Sequence, residues 1–164
     1  MYLEEQVFVA PDCSQPAENW DETYYNIAER TGVKSLEGKK VKTLIAEVGY
    51  WRKANHIHKW FVDNVQEGVD ECRRSYVSVN QLEDLLNTCK DLITCYKEDP
   101  ETANKVAEIQ LPSTEGFFFG GTDYDEWYWR DVEMTIDILQ PIVDAKKEEP
   151  ISGEYTSYFY RSSW

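Results

Sequence analysis

Residues 49–61, GYWRKANHIHKWF, contain much of the side-chain chemistry that could form a site in this sequence. The segment holds both histidines, three basic residues and two tryptophans, and it has no acidic residue. The whole chain, in contrast, carries a net charge of −14. Guanidinium and ammonium groups bind phosphates and carboxylates, and an imidazole changes its charge near neutral pH. A short basic and aromatic segment in an acidic protein therefore indicates a binding site for a small anion.

The spacing within this segment predicts which side chains form that site. We expect one long helix over residues 41–66, because the stretch contains no proline and a single internal glycine, Gly49. At 100° per residue, four polar side chains follow one another along one side of this helix. We call them the basic row, and they are Arg52, Asn55, His56 and Lys59. The neighbouring Trp51 is a candidate for stacking on an aromatic ligand.

Three interpretations of the basic row remain open. In the first, it is a solvated helix face between two packing surfaces. In the second, it lines a cleft and offers guanidinium, amide, imidazole and ammonium groups to phosphate or carboxylate. In the third, it pairs with acidic residues of the same chain.

The segment 116–131, GFFFGGTDYDEWYWRD, is the second candidate. A pair of glycines precedes a helix that we expect from Thr122 or Asp123 through Leu139, with Pro141 bending or ending it. The free N–H groups at a helix N-terminus can receive an anion. The ligand-binding candidates in this segment are Phe119, Gly120, Gly121, Thr122 and Tyr124.

Catalysis and metal binding have weaker support in the sequence. His56 could act as a general base with Asp125 or Glu126 as its partner, but these acids also complement a helix dipole. His56 and His58 point about 200° apart on a helix, so one ion cannot easily bind both. The four cysteines form no CxxC pair, and Cys89 falls in an apolar helical stripe. We predict no catalytic residue, no metal site and no cofactor.

Charge complementarity suggests how the two segments are arranged. Residues 39–61 carry six basic side chains and one acidic one, whereas residues 117–137 carry six acidic side chains and one basic one. The segments could face each other within one subunit or across a dimer, and we expect a homo-oligomer. Both faces could also be solvated, in which case each pair contributes only about 0–1 kcal/mol.

The remaining patterns predict an α+β fold, a predominantly helical single domain with a small antiparallel sheet from the terminal segments. Residues 1–40 should hold a strand over 1–10 and a helix over 21–30, and residues 41–164 a helical core with a C-terminal strand. Ser78 and Gln81 form a capping box before a helix, and Asp99 with Pro100 starts another.

The composition narrows the cellular setting. The N-terminus lacks the basic and apolar regions of a signal peptide, and no apolar run reaches the length of a membrane span. We expect a cytoplasmic protein with reduced thiols. The net charge of −14 disfavours direct binding to nucleic acid or to an anionic membrane.

Three stretches resemble a family of small proteins encoded by tailed bacteriophages and prophages. They are EVGYWRKANHIHKWFVDNVQEGVDEC, LPSTEGFFFGGTDYDEWYW and the terminal YRSSW. The family pattern is roughly YWRKANxIHxWFV, then GFFFGxTxYDE, then an aromatic tail, and the match covers residues 47–164. The resemblance implies a phage origin and a location in the cytoplasm of an infected bacterium. It implies no particular chemistry.

Three functions follow as expectations. The first is a non-enzymatic accessory protein with an anti-defence role, which captures a small anionic, nucleotide-like ligand. The second is an acidic inhibitor that binds a host protein through its charge and exposed aromatic residues. The third is a hydrolase or a nucleotide-modifying enzyme with His56 as base.

Overall fold

The structure, a computed structural model, describes residues 1–8, 25–26, 29–116, 121–147 and 155–163. Within these ranges the strands are β1 (Tyr2–Phe8), β2 (Thr43–Tyr50), β3 (Ser75–Val77) and β4 (Tyr155–Arg161). They form one antiparallel sheet with the order β2-β1-β4-β3. β1 and β4 pair along their whole lengths, which confirms the predicted sheet of the terminal segments.

The helices of the described residues are α1 (Asn55–Val65), α2 (Val79–Glu98), α3 (Pro100–Gln110) and α4 (Glu126–Lys147). Side chains from the sheet, including Leu3 and Tyr160, join these helices in one hydrophobic core. The Phe61 ring of α1 stacks on the Tyr160 ring of β4 at 4.0 Å between centroids. The fold is α+β, a single domain with more helix than strand, as the sequence predicted.

Local helix signals are accurate in the middle of the chain. The Ser78 hydroxyl accepts from the Gln81 N–H, and the Gln81 side chain accepts from the Ser78 N–H, so the predicted capping box is present. Asp99 caps α3, with Pro100 at its first position. Cys89 is buried on the core side of α2, where burial raises the pKa of its thiol to about 12.

The predicted long helix over residues 41–66 is wrong in its first half. β2 occupies residues 43–50 and pairs with β1 along its length. Within the predicted stretch, the helix is limited to α1. Gly49 explains part of the difference, because a Cβ atom there would lie 2.7 Å from Ile138 Cγ2. A glycine that reads as a weak point in a helix is required for close packing of a strand against α4. The helical wheel therefore did not apply before residue 55.

The last helix starts later and ends later than predicted. Asp125 caps it, since its Oδ1 accepts from the N–H groups of Trp127 at 2.9 Å and Tyr128 at 3.2 Å. Thr122 and Asp123 precede this cap. Pro141 lies inside α4 without ending it. A proline costs a helix one N–H donor, and here it lies on the exposed side of α4.

Two further observations complete the fold. Residues 25–26 and 29–30 are helical, and the rest of the helix predicted over 21–30 lies outside the described residues. Among the described helices, none combines the length and the apolarity that a membrane span requires.

Candidate functional site

A cavity of about 260 Å³ lies between the segment that leads into α1 and the first turns of α4. The α1 side contributes Arg52, Lys53, Asn55 and His56 to its lining. The loops before α4 and α4 itself contribute Ser113, Gly121, Asp123, Asp125, Trp127, Tyr128 and Asp131. The two unusual segments of the sequence therefore meet at one concavity.

Asn55 joins the elements around the cavity. It is the first residue of α1 and only 2% exposed. Its Nδ2 donates to the Gly121 carbonyl at 2.9 Å, and its Oδ1 accepts from the Thr114 N–H at 3.4 Å. One buried amide therefore holds two points of the connection between α3 and α4 against the start of α1.

His56 lies beside Asn55 and is only 3% exposed. Its ring faces Tyr128 of α4, with 4.1 Å between the ring centroids. Burial lowers the pKa of His56 to about 3, because the charged imidazolium loses its hydration. Its Nε2 has no hydrogen-bond partner among the described residues. A buried polar atom without a partner costs free energy, and this nitrogen is closed to solvent in the unliganded protein.

The positive side of the cavity comes from two exposed residues, Arg52 and Lys53. Lys53 has a φ of 64°, a left-handed conformation that is unusual for a residue with a side chain. Such strain is found most often at functional sites. Ala54, which precedes α1, offers no side-chain cap. The cations thus stand beside an uncapped helix start, which is a favourable place for an anion.

The negative side comes from Asp123, Asp125 and Asp131. Asp125 is committed to capping α4. Asp131 lies six residues, nearly two turns, further along the chain. Burial raises the pKa of its carboxyl to about 6, with Arg130 opposing the shift and the Asp125 charge adding to it. Among the described residues, no ion pair joins Arg52 or Lys53 to any of these acids.

The structure separates several predicted site residues from the cavity. Lys59 pairs with Asp63 one turn along α1, at 2.7 Å. Trp51 is fully buried, and its Nε1 donates to the Thr135 hydroxyl at 2.9 Å. Of the predicted basic row, Arg52, Asn55 and His56 line the cavity, whereas Lys59 lies one turn further along α1 and does not.

The predicted residues before α4 have mixed placements. Gly121 lines the cavity, whereas Thr122 is exposed and does not. Tyr124 does not line the cavity, but its hydroxyl accepts from the N–H of the lining residue Ser113 at 3.2 Å. Phe119 and Gly120 lie outside the described residues.

The geometry does not favour His56 as a general base. An imidazole with a pKa of about 3 is a weak proton acceptor at neutral pH. Among the described residues, no hydrogen bond joins it to Asp125 or Glu126, and Glu126 does not line the cavity. Asp131, with its carboxyl pKa near 6, is the cavity group best suited to proton transfer.

His58 belongs to a separate buried cluster. Its Nδ1 lies 2.6 Å from the Tyr160 hydroxyl, and its Nε2 lies 3.1 Å from Asp70 Oδ1. Burial lowers the pKa of His58, and the Asp70 carboxylate opposes that shift. Within the described part of the chain, no three His, Cys, Asp or Glu side chains are grouped to hold a metal ion.

Sequence reasoning did not place six of the lining residues in the site, namely Lys53, Ser113, Asp123, Trp127, Tyr128 and Asp131. Lys53 falls off the basic row when the segment is drawn as a helix, and the true backbone bends there. The spacing of Asp131 could have predicted its place beside the aromatic residues of α4, because it follows Trp127 by four positions and Tyr128 by three. Residues at those spacings share a helix face.

The chain was compared with models of known protein families, with curated proteins and with solved structures. None of the three comparisons returned a match.

Proposed function

We propose that this protein is a non-enzymatic binding protein that captures a small anionic, nucleotide-like ligand in the cavity between α1 and α4. The observation that carries the proposal is the convergence of Arg52, Lys53 and the uncapped start of α1 on one cavity with the buried, unpartnered His56. An anion there gains two cationic partners and the positive end of a helix dipole.

The size and lining of the cavity support a ligand of nucleotide type. Its volume of about 260 Å³ is just below the range for small-molecule sites, about 300–1,000 Å³. This favours a mononucleotide over a dinucleotide. Trp127 lines the cavity and is 68% exposed. The Arg130 guanidinium lies 5.6 Å from its ring centroid on one side, and a base could stack on the other side.

The biological setting of the proposal comes from the resemblance to phage and prophage proteins. A phage accessory protein that binds a nucleotide could remove a host signal in the cytoplasm of the infected bacterium. The anti-defence role and assembly as a homo-oligomer are parts of this proposal.

Titration calorimetry of the full chain tests the ligand class. The panel contains nucleoside monophosphates, cyclic mono- and dinucleotides, and inorganic phosphate. We expect a mononucleotide to bind, and Arg52→Gln to weaken it by about tenfold or more, because a charge-assisted hydrogen bond is lost. Lys59→Gln is the matched control, since Lys59 pairs with Asp63 and does not line the cavity.

Two results would contradict the proposal. One is the absence of binding to every member of the panel. The other is an equal loss of affinity in the Arg52 and Lys59 variants, which would indicate a diffuse charge effect. Chromatography of the ligand after incubation separates binding from enzymatic turnover, because a binding protein returns its ligand unchanged.

The exposed Trp127 ring also favours a second candidate, an acidic protein that inhibits a host factor. Exposed aromatic residues are common anchors of protein interfaces. In that case a purified host partner should bind in a salt-sensitive manner, and Trp127→Ala should abolish the complex.

A further inference from the structure

The cavity between α1 and α4 presents opposite charges on two different elements. The segment before α1 supplies Arg52 and Lys53, while the start of α4 supplies Asp125 and Asp131. A site for a simple anion would not need carboxylates in its wall, because they repel the ligand. The carboxylates in the wall therefore indicate that the ligand also carries a hydrogen-bond donor or a positive group.

The opposite charges do not neutralise each other. No ion pair within the described ranges connects Arg52 or Lys53 to an acid. The Asp131 carboxylate, half-buried on α4, accepts no side-chain or backbone hydrogen bond there either, since the Thr135 hydroxyl donates to the Asp131 main-chain carbonyl instead. The Asp131 carboxylate is therefore available to accept a hydrogen bond from a ligand bound in the cavity.

Two further residues distinguish this cavity from a bare helix N-terminus beside acidic residues. His56, 3% exposed, lines the same cavity with an unpartnered Nε2. Asn55 ties the cationic segment to the loop before α4 through the Gly121 carbonyl, so both charged walls are held by one buried amide. Unpaired polar groups of both signs around one cavity are typical of a site that recognises a specific ligand.

We infer that the ligand is a mononucleotide whose base carries an exocyclic amino group. Its phosphate lies beside Arg52 and Lys53 at the start of α1, and its amino group donates to Asp131. The base stacks on the exposed Trp127 ring, which follows the acidic loop. This inference rests on the proposed function of the same cavity and specifies the ligand class.

The burial of Asp131 strengthens the selectivity. Its charged form is disfavoured in the unliganded protein, as its raised pKa indicates, and an amino donor would stabilise that charge. A base without the amino group would leave the carboxylate unpaired in a partly dry site. Discrimination against a ligand that lacks a hydrogen-bonding group is the stronger kind of specificity.

Pairs of nucleotides that differ by one amino group test the inference. AMP is compared with purine riboside 5′-monophosphate, and GMP with IMP, by calorimetry on the full chain at pH 7.5. We expect the better of AMP and GMP to bind at least about tenfold more tightly than its partner without the amino group, as a hydrogen bond to a charged acceptor should give. Asp131→Leu, which is close in size but has no hydrogen-bond acceptor, should remove that preference. Asp137→Leu on the same helix is the control, because Asp137 does not line this cavity.

The outcomes separate this inference from the proposed function. Equal affinity within both pairs, with Arg52→Gln still weakening all four nucleotides, overturns the inference and leaves the anion site standing. A preference for the amino nucleotide that persists in Asp131→Leu overturns the role of Asp131. Failure of all four nucleotides and of the wider panel to bind overturns both proposals.

Discussion

Replacing His56 with phenylalanine should remove a large part of the acid sensitivity of this protein. His56 is buried against Tyr128, and burial lowers its pKa to about 3, compared with about 6.5 in an unfolded chain. Below pH 6.5 the unfolded state binds a proton that the folded state does not take up until near pH 3. The free energy of unfolding therefore falls as the pH falls through this window.

The size of the effect follows from the two pKa values. Each pH unit inside the window is worth about 1.4 kcal/mol, so His56 should cost about 2 kcal/mol of stability at pH 5 relative to pH 8. Phenylalanine keeps a ring against Tyr128 but cannot be protonated. It also removes the unpartnered Nε2, so the variant should be no less stable than the parent chain at pH 8.

Urea unfolding, followed by tryptophan fluorescence from pH 5 to pH 8, measures this difference. The variant and the parent share every other titrating group, including His58, so those contributions cancel when the two curves are subtracted. We expect the curves to diverge by about 2 kcal/mol at pH 5. Parallel curves, or an imidazole of His56 that titrates near pH 6.5 by NMR, would refute the argument from burial.

Three further changes test other parts of the structure by urea or thermal unfolding. Asp131→Asn should stabilise the chain at pH 7.5 by about 1 kcal/mol but not at pH 4. The folded carboxyl holds its proton up to about pH 6, so its ionisation costs stability as the pH rises. The partial exposure of the carboxyl reduces that cost. An equal effect at both pH values would contradict this sign. Ser78→Ala should cost about 1 kcal/mol by removing the capping box of α2, and no loss would show that the cap is replaceable. Gly49→Ala should cost about 1–3 kcal/mol, because its Cβ would meet Ile138 at 2.7 Å, and wild-type stability would mean that α4 moves freely away from β2.

The sequence predicted those elements whose signals are local. The capping box at Ser78 and the Asp99–Pro100 start of α3 depend on residues within one turn of each other, so no knowledge of the rest of the chain is needed. The pairing of the terminal strands was predicted from β-forming residues at both ends. In each of these cases local preference and tertiary packing agree.

Residues 43–50 show where local reasoning fails. Their side chains fit a helix or an edge strand, and pairing with β1 together with the contact of Gly49 against Ile138 decides between them. Both partners lie far away in the sequence. The error carried over to the site, because the segment before α1 is not helical and brings Lys53 to the cavity, while Lys59 lies one turn further along α1 than the cavity residues Asn55 and His56. The raised pKa of Asp131 also depends on burial, which no spacing rule reveals.

The position of β4 in the sheet has a consequence for how the chain folds. β4 lies between β1 and β3, yet it is the last strand of the described residues to be synthesised. Until it arrives, β1 pairs with β2 on one side and leaves its other edge of backbone N–H and C=O groups unsatisfied, while β3 has no neighbour. Closing the sheet joins residues about 150 positions apart, which makes folding slow relative to a helical bundle of the same size. A nascent chain waiting for its last strand exposes an edge that other chains can pair with, so yield in cells should depend on chaperones and temperature more than the stability of the finished fold would indicate.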